Sequence, residues 1–186
     1  TSEGPYAIIA NSRYLDELWD GAGPNLIGLR STDIFTLDEI EVSLQSPEQA
    51  VEGIRQAVEQ EILAHGKIPF LLGGEHSISL GAVLALKDKY PDLSVLQLDA
   101  HTDLFDEYEG TKYNHACVMR RVNELGVKTV SIGIRNINRE IEDYLKKQKD
   151  AHIYFAPKIP SIKKILQGLS KNVYLTVDVD VFDPSI

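Results

Sequence analysis

Three short segments hold most of the ionisable side chains that could act together: Gly73-Gly74-Glu75-His76-Ser77, Asp99-Ala100-His101-Thr102-Asp103 and Asp178-Val179-Asp180-Val181-Phe182-Asp183-Pro184. Each closes a strongly apolar, strand-like run. Parallel α/β sheets gather their sites at the carboxyl ends of strands. The three segments would therefore line one edge with one or two imidazoles and several carboxylates. Such a set is not buried without cations to pair with. This is the makeup of a site for two divalent metals.

Spacing supports that reading. Side chains on a strand alternate faces with period two, so Asp99, His101 and Asp103 share a face if the extended conformation persists, and Asp178 and Asp180 repeat the pattern. Gly73 and Gly74 permit a tight strand-to-helix turn that aims His76 at the same edge. Oxygen donors with one or two imidazoles suit Mn²⁺ and also accept Mg²⁺, Fe²⁺ or Zn²⁺. The absence of thiolates from the segments argues against a structural zinc site. Two metals about 3.5–4 Å apart can share a water and lower its pKa. Five aspartates around two dications and a hydroxide leave the site net negative, which favours a cationic substrate.

The elements that must position these segments alternate between strands and helices. Gly4, Pro5, Gly21, Gly23 and Pro24 interrupt the first 45 residues, with a helical stretch from Tyr6 towards Leu18. Ser46, Pro47 and Gln49 form an N-cap, a first-turn proline and a capping box. Ala50, Val51, Ile54, Ala57, Val58 and Ile62 follow helical spacing, and Gly66 closes that helix. Ile68–Leu72 reads as a buried strand, 78–90 as an apolar helix and Leu93–Leu98 as a strand. A helix over 115–125 ends at Gly126. Then come a strand over 127–134, a polar helix over 139–149, a short strand over 152–155, a short helix over 162–169 and a strand over 173–177. This order predicts an α/β fold, a parallel sheet covered on both faces.

The chain has 186 residues, which suits one domain spanning 1–186. Its 28 acidic residues against 19 basic give a net charge of −9, which argues against generic nucleic-acid binding. The single cysteine, Cys117, excludes an internal disulfide framework and fits a reducing compartment. No apolar run approaches the roughly 18–20 residues of a membrane span, and no signal peptide is visible. The chain begins at Thr1 and stops at Ile186, directly after an acidic motif where a parallel sheet would continue. The expectation is a fragment, truncated at both ends.

The motifs Gly-Gly-Glu-His-Ser, Asp-Ala-His-Thr-Asp and Asp-Val-Asp-Val-Phe-Asp-Pro resemble, in order and spacing, the ureohydrolase family, which includes arginase, agmatinase and guanidinobutyrase. The resemblance implies a three-layer α/β/α, arginase-like fold with a mostly parallel sheet. It also implies two Mn²⁺ ions per chain held by His76, Asp99, His101, Asp103, Asp178 and Asp180. In that scheme His76, Asp99, Asp103 and Asp180 hold one ion or bridge the pair, and His101 and Asp178 complete the second site, with Asp99, Asp103 and either Asp178 or Asp180 open to being shared. Tyr113-Asn114-His115-Ala116-Cys117-Val118-Met119-Arg120-Arg121 looks like the agmatinase-type loop that carries the family's proton-relaying histidine, here His115. Imidazole, with an ordinary pKa near 6.5, suits that task.

The implied reaction is hydrolysis of agmatine to putrescine and urea, a step of polyamine biosynthesis in the cytoplasm, by a trimer or hexamer. Hydroxide would attack the guanidinium carbon while Asp103 moves its proton to the leaving amine. The glutamate that grips the guanidinium group is expected beyond Ile186. Alternatives are the same chemistry on arginine or 4-guanidinobutyrate, and a truncated, non-catalytic metal-binding homologue. A two-metal phosphoesterase would need a phosphate-cradling glycine loop or a basic clamp, and neither is found.

Other residues read more plainly. Asp183 before Pro184 shapes a turn. Glu75 either orients His76 or is solvated. His65 and His152 have no acidic pattern beside them. Cys117 reads as a small buried residue, and Arg120 and Arg121 as part of a solvated helix face in preference to a subunit interface. Lys146-Lys147-Gln148-Lys149-Asp150 reads as a solvated helix end near its negative dipole terminus.

Overall fold

A computed structural model of the chain describes residues 3–12, 35–41 and 46–182. The chain divides into two units, 1–41 with 70–74, and 42–69 with 75–186. In the first unit, α1 spans Glu3–Ser12. Pro5 falls in its first turn, where a missing N–H leaves no bond unmade. The continuation of this helix towards Leu18 lies outside the described residues.

The second unit opens with α2, Pro47–Ala57. Ser46 caps it: its hydroxyl accepts the Gln49 N–H, and the Gln49 side chain accepts the Ser46 N–H. This is the capping box read from the sequence. The helix runs on through a wider turn, Val58–Ile62, and a tighter one, Leu63–His65, before Gly66 takes the left-handed conformation at φ 69°. Next comes α3, Ile78–Lys89, which buries Ser79, Leu80, Gly81, Ala82, Val83, Ala85 and Leu86. Gly81 lets α3 lie close against α2. A Cβ there would stand 2.6 Å from the Val51 carbonyl oxygen and 2.8 Å from Ile54 Cβ. Gly81→Ala is therefore expected to lower stability by about 1–3 kcal/mol, outweighing roughly 1 kcal/mol of gained helix propensity. Urea denaturation checks this, and an unchanged midpoint would mean the helices part without cost.

Four parallel strands follow: β1 Ser94–Leu98, β2 Lys128–Ile134, β3 Ala151–Phe155 and β4 Val173–Val177, in the order β3-β2-β1-β4. Between them lie α4 Val118–Glu124, α5 Arg139–Leu145 and α6 Ile162–Gln167. Leu80, Val83 and Leu86 of α3, Val118, Met119 and Val122 of α4 and Ile141 of α5 form one core with Val95 of β1. On the other face α6 ends at Gly168, where a Cβ would meet Val130 of β2 and His152 of β3. Towards β4, Val173, Leu175 and Val177 are exposed, and among the described residues no helix covers them.

The strand order carries the functional consequence. From β1 the chain steps outward to β2 and β3, then returns to place β4 on the opposite side of β1. Beyond the carboxyl ends of β1 and β4 lies the crevice where open α/β sheets bind ligands.

The run Ile68–Leu72 departs from the buried strand expected of it. It has no regular secondary structure and belongs to no sheet, and Ile68 and Phe70 are 92% and 84% exposed. A strand needs a neighbour for its backbone groups, and none of the described strands pairs with it. The polar helix expected over 139–149 also stops early, at Leu145.

Candidate metal centre

The last ladder bonds of the sheet deliver two aspartates to the crevice. The Asp99 N–H donates to the Ile132 carbonyl, and the Asp178 N–H donates to the Leu98 carbonyl. His76 reaches the same place from the turn before α3. Its Nδ1 lies 2.9 Å from Asp103 Oδ2, 3.2 Å from Asp99 Oδ2 and 3.8 Å from Asp178 Oδ2. Its Nε2 is 2.9 Å from Thr176 Oγ1, which fixes that nitrogen as a hydrogen-bonding site. Despite its short contacts, Nδ1 is buried and has no aligned hydrogen bond. A nitrogen aimed between carboxylates, with the other ring nitrogen tied back to the protein, is the arrangement of a metal-ligating histidine.

A second set adjoins the first. His101 Nδ1 is 2.8 Å from Asp180 Oδ2 and 3.7 Å from Asp99 Oδ1. The donor atoms of His76, Asp99 and Asp103 lie within 4.8 Å of one another, as do those of Asp99, His101 and Asp180. Asp99 belongs to both sets. The resemblance implied Asp180 beside His76; here its carboxylate meets His101 and accepts the Ala100 N–H at 3.0 Å. Asp178 lies on the His76 side. Oxygen and imidazole donors without thiolate suit Mn²⁺ and similar divalent ions.

Local turns, rather than continued strands, sort the side chains. Asp99 Oδ1 accepts the His101 N–H at 2.7 Å, and Asp178 Oδ1 accepts the Asp180 N–H at 3.0 Å. Such Asx turns end the extended conformation, so His101 and Asp103 go to different sets rather than to one face. Asp103 adopts φ 53°, which Asp tolerates better than most residues. Gly133 allows the close approach behind Asp99: a Cβ there would lie 2.9 Å from the Asp99 carbonyl oxygen.

Several supporting residues had not been singled out in the sequence. Gln97 is fully buried; it donates to Asp99 Oδ2 at 2.8 Å and to the His101 carbonyl, and accepts the Ser131 hydroxyl at 2.6 Å. Its signal was available: a polar residue inside an apolar strand, two positions before Asp99. The Arg135 guanidinium holds the carbonyls of Asp180 and Val181 at 2.5 and 3.0 Å, while its backbone N–H donates to Ala100. One residue thus ties together both acidic loops.

Burial opposes charge on His76, but close contact with Asp103 and Asp99 outweighs it, and its pKa is pushed up to about 10. Burial likewise pushes the Asp103 carboxyl up, against the pull of His76. Because the folded value for His76 exceeds the ordinary 6.5, its ion pairs stabilise the fold fully below pH 6.5, and that contribution is lost as pH rises through about 10. Metal binding runs the other way, since it needs the neutral ring. Mn²⁺ affinity is expected to rise about tenfold per pH unit below that value, with a proton released on binding. Calorimetry in buffers of different ionisation heat measures both, and a pH-independent Kd would remove His76 from the ligand set.

His115 begins the short helical turn His115–Cys117, outside both sets. Its partner is Glu75: Oε1 accepts the His115 N–H at 2.8 Å and lies 3.1 Å from Nδ1. Glu75 is thus bonded to His115 and Ser77 rather than to His76, and its side chain stays 46% exposed to solvent. Cys117 is buried, and burial pushes its thiol up to about 11, which keeps it protonated at neutral pH. The expectation of a solvated Arg120–Arg121 face is corrected. The Arg121 side chain is 10% exposed and pairs with Asp106 and Glu124, and Arg120 stacks 3.7 Å from the Tyr144 ring. Asp183 lies outside the described residues. Among the described residues no helix is long and apolar enough to cross a membrane.

Comparison with known proteins bears directly on this geometry. The model of the arginase family matches residues 1–186. An N(1)-aminopropylagmatine ureohydrolase of Thermococcus kodakarensis is 39% identical over 82% of this chain and 52% of its own length. An agmatinase of Bacillus subtilis is 35% identical over 84% of this chain and 54% of its own length. Among solved structures, an agmatine ureohydrolase of Thermoplasma volcanium superposes with a TM-score of 0.65 at 38% identity, over 75% of this chain and 48% of that one. The chain spans about half the length of the curated relatives it matches.

Proposed function

This chain belongs to the arginase family, and from that premise we propose that it carries the metal-binding part of a manganese-dependent ureohydrolase acting on agmatine or a close guanidino relative. The observation that supports this reading most is His76 Nδ1, buried among three carboxylates without an aligned hydrogen bond. His76, Asp99, Asp103 and Asp178 would hold one Mn²⁺, and Asp99, His101 and Asp180 a second. When bound, such ions supply hydroxide at neutral pH and stabilise developing negative charge.

The protein's own groups do the rest. Asp103, buried beside His76, takes the proton given up by the nucleophile and passes it to the leaving amine. His115 exchanges protons between the crevice and solvent. Gln97, Thr176 and Arg135 hold the ligand-bearing loops, so little reorganisation accompanies reaction. For agmatine the balance is one water consumed, and one putrescine and one urea released.

The relatives' names include both agmatinase and N(1)-aminopropylagmatine ureohydrolase. Urea release from the Mn²⁺-loaded chain, with agmatine, N(1)-aminopropylagmatine, arginine and 4-guanidinobutyrate side by side, tests the reading. Urea from agmatine above the others supports it and ranks the substrates. Two ions bound per chain with no urea from any of the four would overturn it in favour of metal binding without catalysis.

A further inference from the structure

We infer that Glu75 is a positioning residue that fixes the tautomer of His115, so that Nδ1 carries the proton and Nε2 is the nitrogen that exchanges protons. The inference rests on the reading in which His115 relays protons, and it adds a residue to that relay. Glu75 sits one position before His76, where an acidic neighbour would be expected to orient the metal-site histidine. Its carboxylate instead reaches a residue 40 positions further along the chain.

Both carboxylate oxygens are engaged. Oε2 accepts the Ser77 N–H at 2.7 Å and the Ser77 hydroxyl, which anchors the carboxylate to the turn that starts α3. Oε1 accepts the His115 N–H at 2.8 Å and faces Nδ1 at 3.1 Å. A carboxylate only accepts hydrogen bonds, so the ring nitrogen facing it must donate. A neutral imidazole carries one proton, and which nitrogen holds it is set by the hydrogen bond the other makes. With Nδ1–H given to Glu75, the lone pair is on Nε2. The backbone bond to the same oxygen and the Tyr108 ring, edge-on with its centroid 5.8 Å away, restrict the imidazole further. The ring remains 52% exposed, as proton exchange with solvent requires. Glu75 and His76 leave one turn in succession, so the relay is tied to the same turn as the metal-facing imidazole.

A tether without influence on the proton would leave the tautomer unaltered, and this separates the two roles. Nitrogen-15 NMR of histidine side chains in the full chain, loaded with diamagnetic Zn²⁺ at pH 8.5, reads the tautomer directly, and His115→Asn assigns the signal. The expected result is an Nδ1–H pattern for His115 that moves to Nε2–H in Glu75→Ala. In the Mn²⁺ enzyme, Glu75→Ala is expected to lower kcat at least about tenfold with KM and metal content unchanged. It should cost nothing more on top of His115→Asn. An Nε2–H signal in the wild-type chain overturns the inference without recourse to any variant, and so do losses that multiply in the double variant. If the wild-type chain releases no urea, the hydrolase reading fails while the tautomer signal still decides the role of Glu75.

Discussion

Asp103→Asn is expected to lower kcat for urea release by about 10²–10⁴-fold while leaving the fold in place, the loss typical of removing a group that transfers protons. The substitution spares the backbone. Asp103 holds φ 53°, a conformation that Asn tolerates as well as Asp. Its backbone carbonyl accepts the Arg120 N–H whatever the side chain. An amide also fills the same volume beside His76. What it cannot do is take a proton from the nucleophile and hand it on; it also removes one negative charge from the His76 set, so the ions bound per chain are counted alongside kcat. Thermal unfolding monitored beside steady-state kinetics checks both halves. Wild-type kcat in Asp103→Asn would remove this residue from the chemistry. A collapsed Tm would instead make it structural.

The second large effect concerns Asp99. It is the residue common to both donor sets, it is 1% exposed, and Gln97 and the His101 N–H hold its two oxygens apart. Asp99→Asn should therefore cost both ions rather than one, with activity reduced about 10³-fold or more as the nucleophile loses its activation. His101→Asn, which touches one set, should release one ion and leave the other. Metal analysis after desalting counts the ions per chain in each variant. One ion retained in Asp99→Asn would show that the two sets do not depend on a shared carboxylate.

The helix at Pro47 and strand β4 illustrate what could be read directly. A capping box with a first-turn proline involves neighbours in the chain, and its geometry is settled within a few residues. The run Val173–Val177 was equally plain, because β-branched and apolar residues between polar turns have few other places to go. Ile68–Leu72 has the same apolar composition and lies in no strand, since pairing depends on a neighbour that composition does not reveal. Arg120 and Arg121 were misread for a related reason: Glu124 is one turn away on the same helix, but Asp106 and Tyr144 are brought to them only by the fold.

The candidate site divides along the same line. The sequence by itself determined six candidate acidic and imidazole residues and their order, and it placed the five aspartates and histidines of the second and third segments just beyond β1 and β4; His76 comes instead from the turn before α3. Those follow from local alternation and turn chemistry. Tertiary structure alone decided which residues meet: Asp180 with His101, Asp178 towards His76, Asp99 between them, and Glu75 with His115 rather than with its neighbour. Charge interactions act through space and grow as water is excluded. A carboxylate's partner is therefore chosen by which backbone the fold brings within about 3 Å of it, and the strand order that places β4 beside β1 makes that choice.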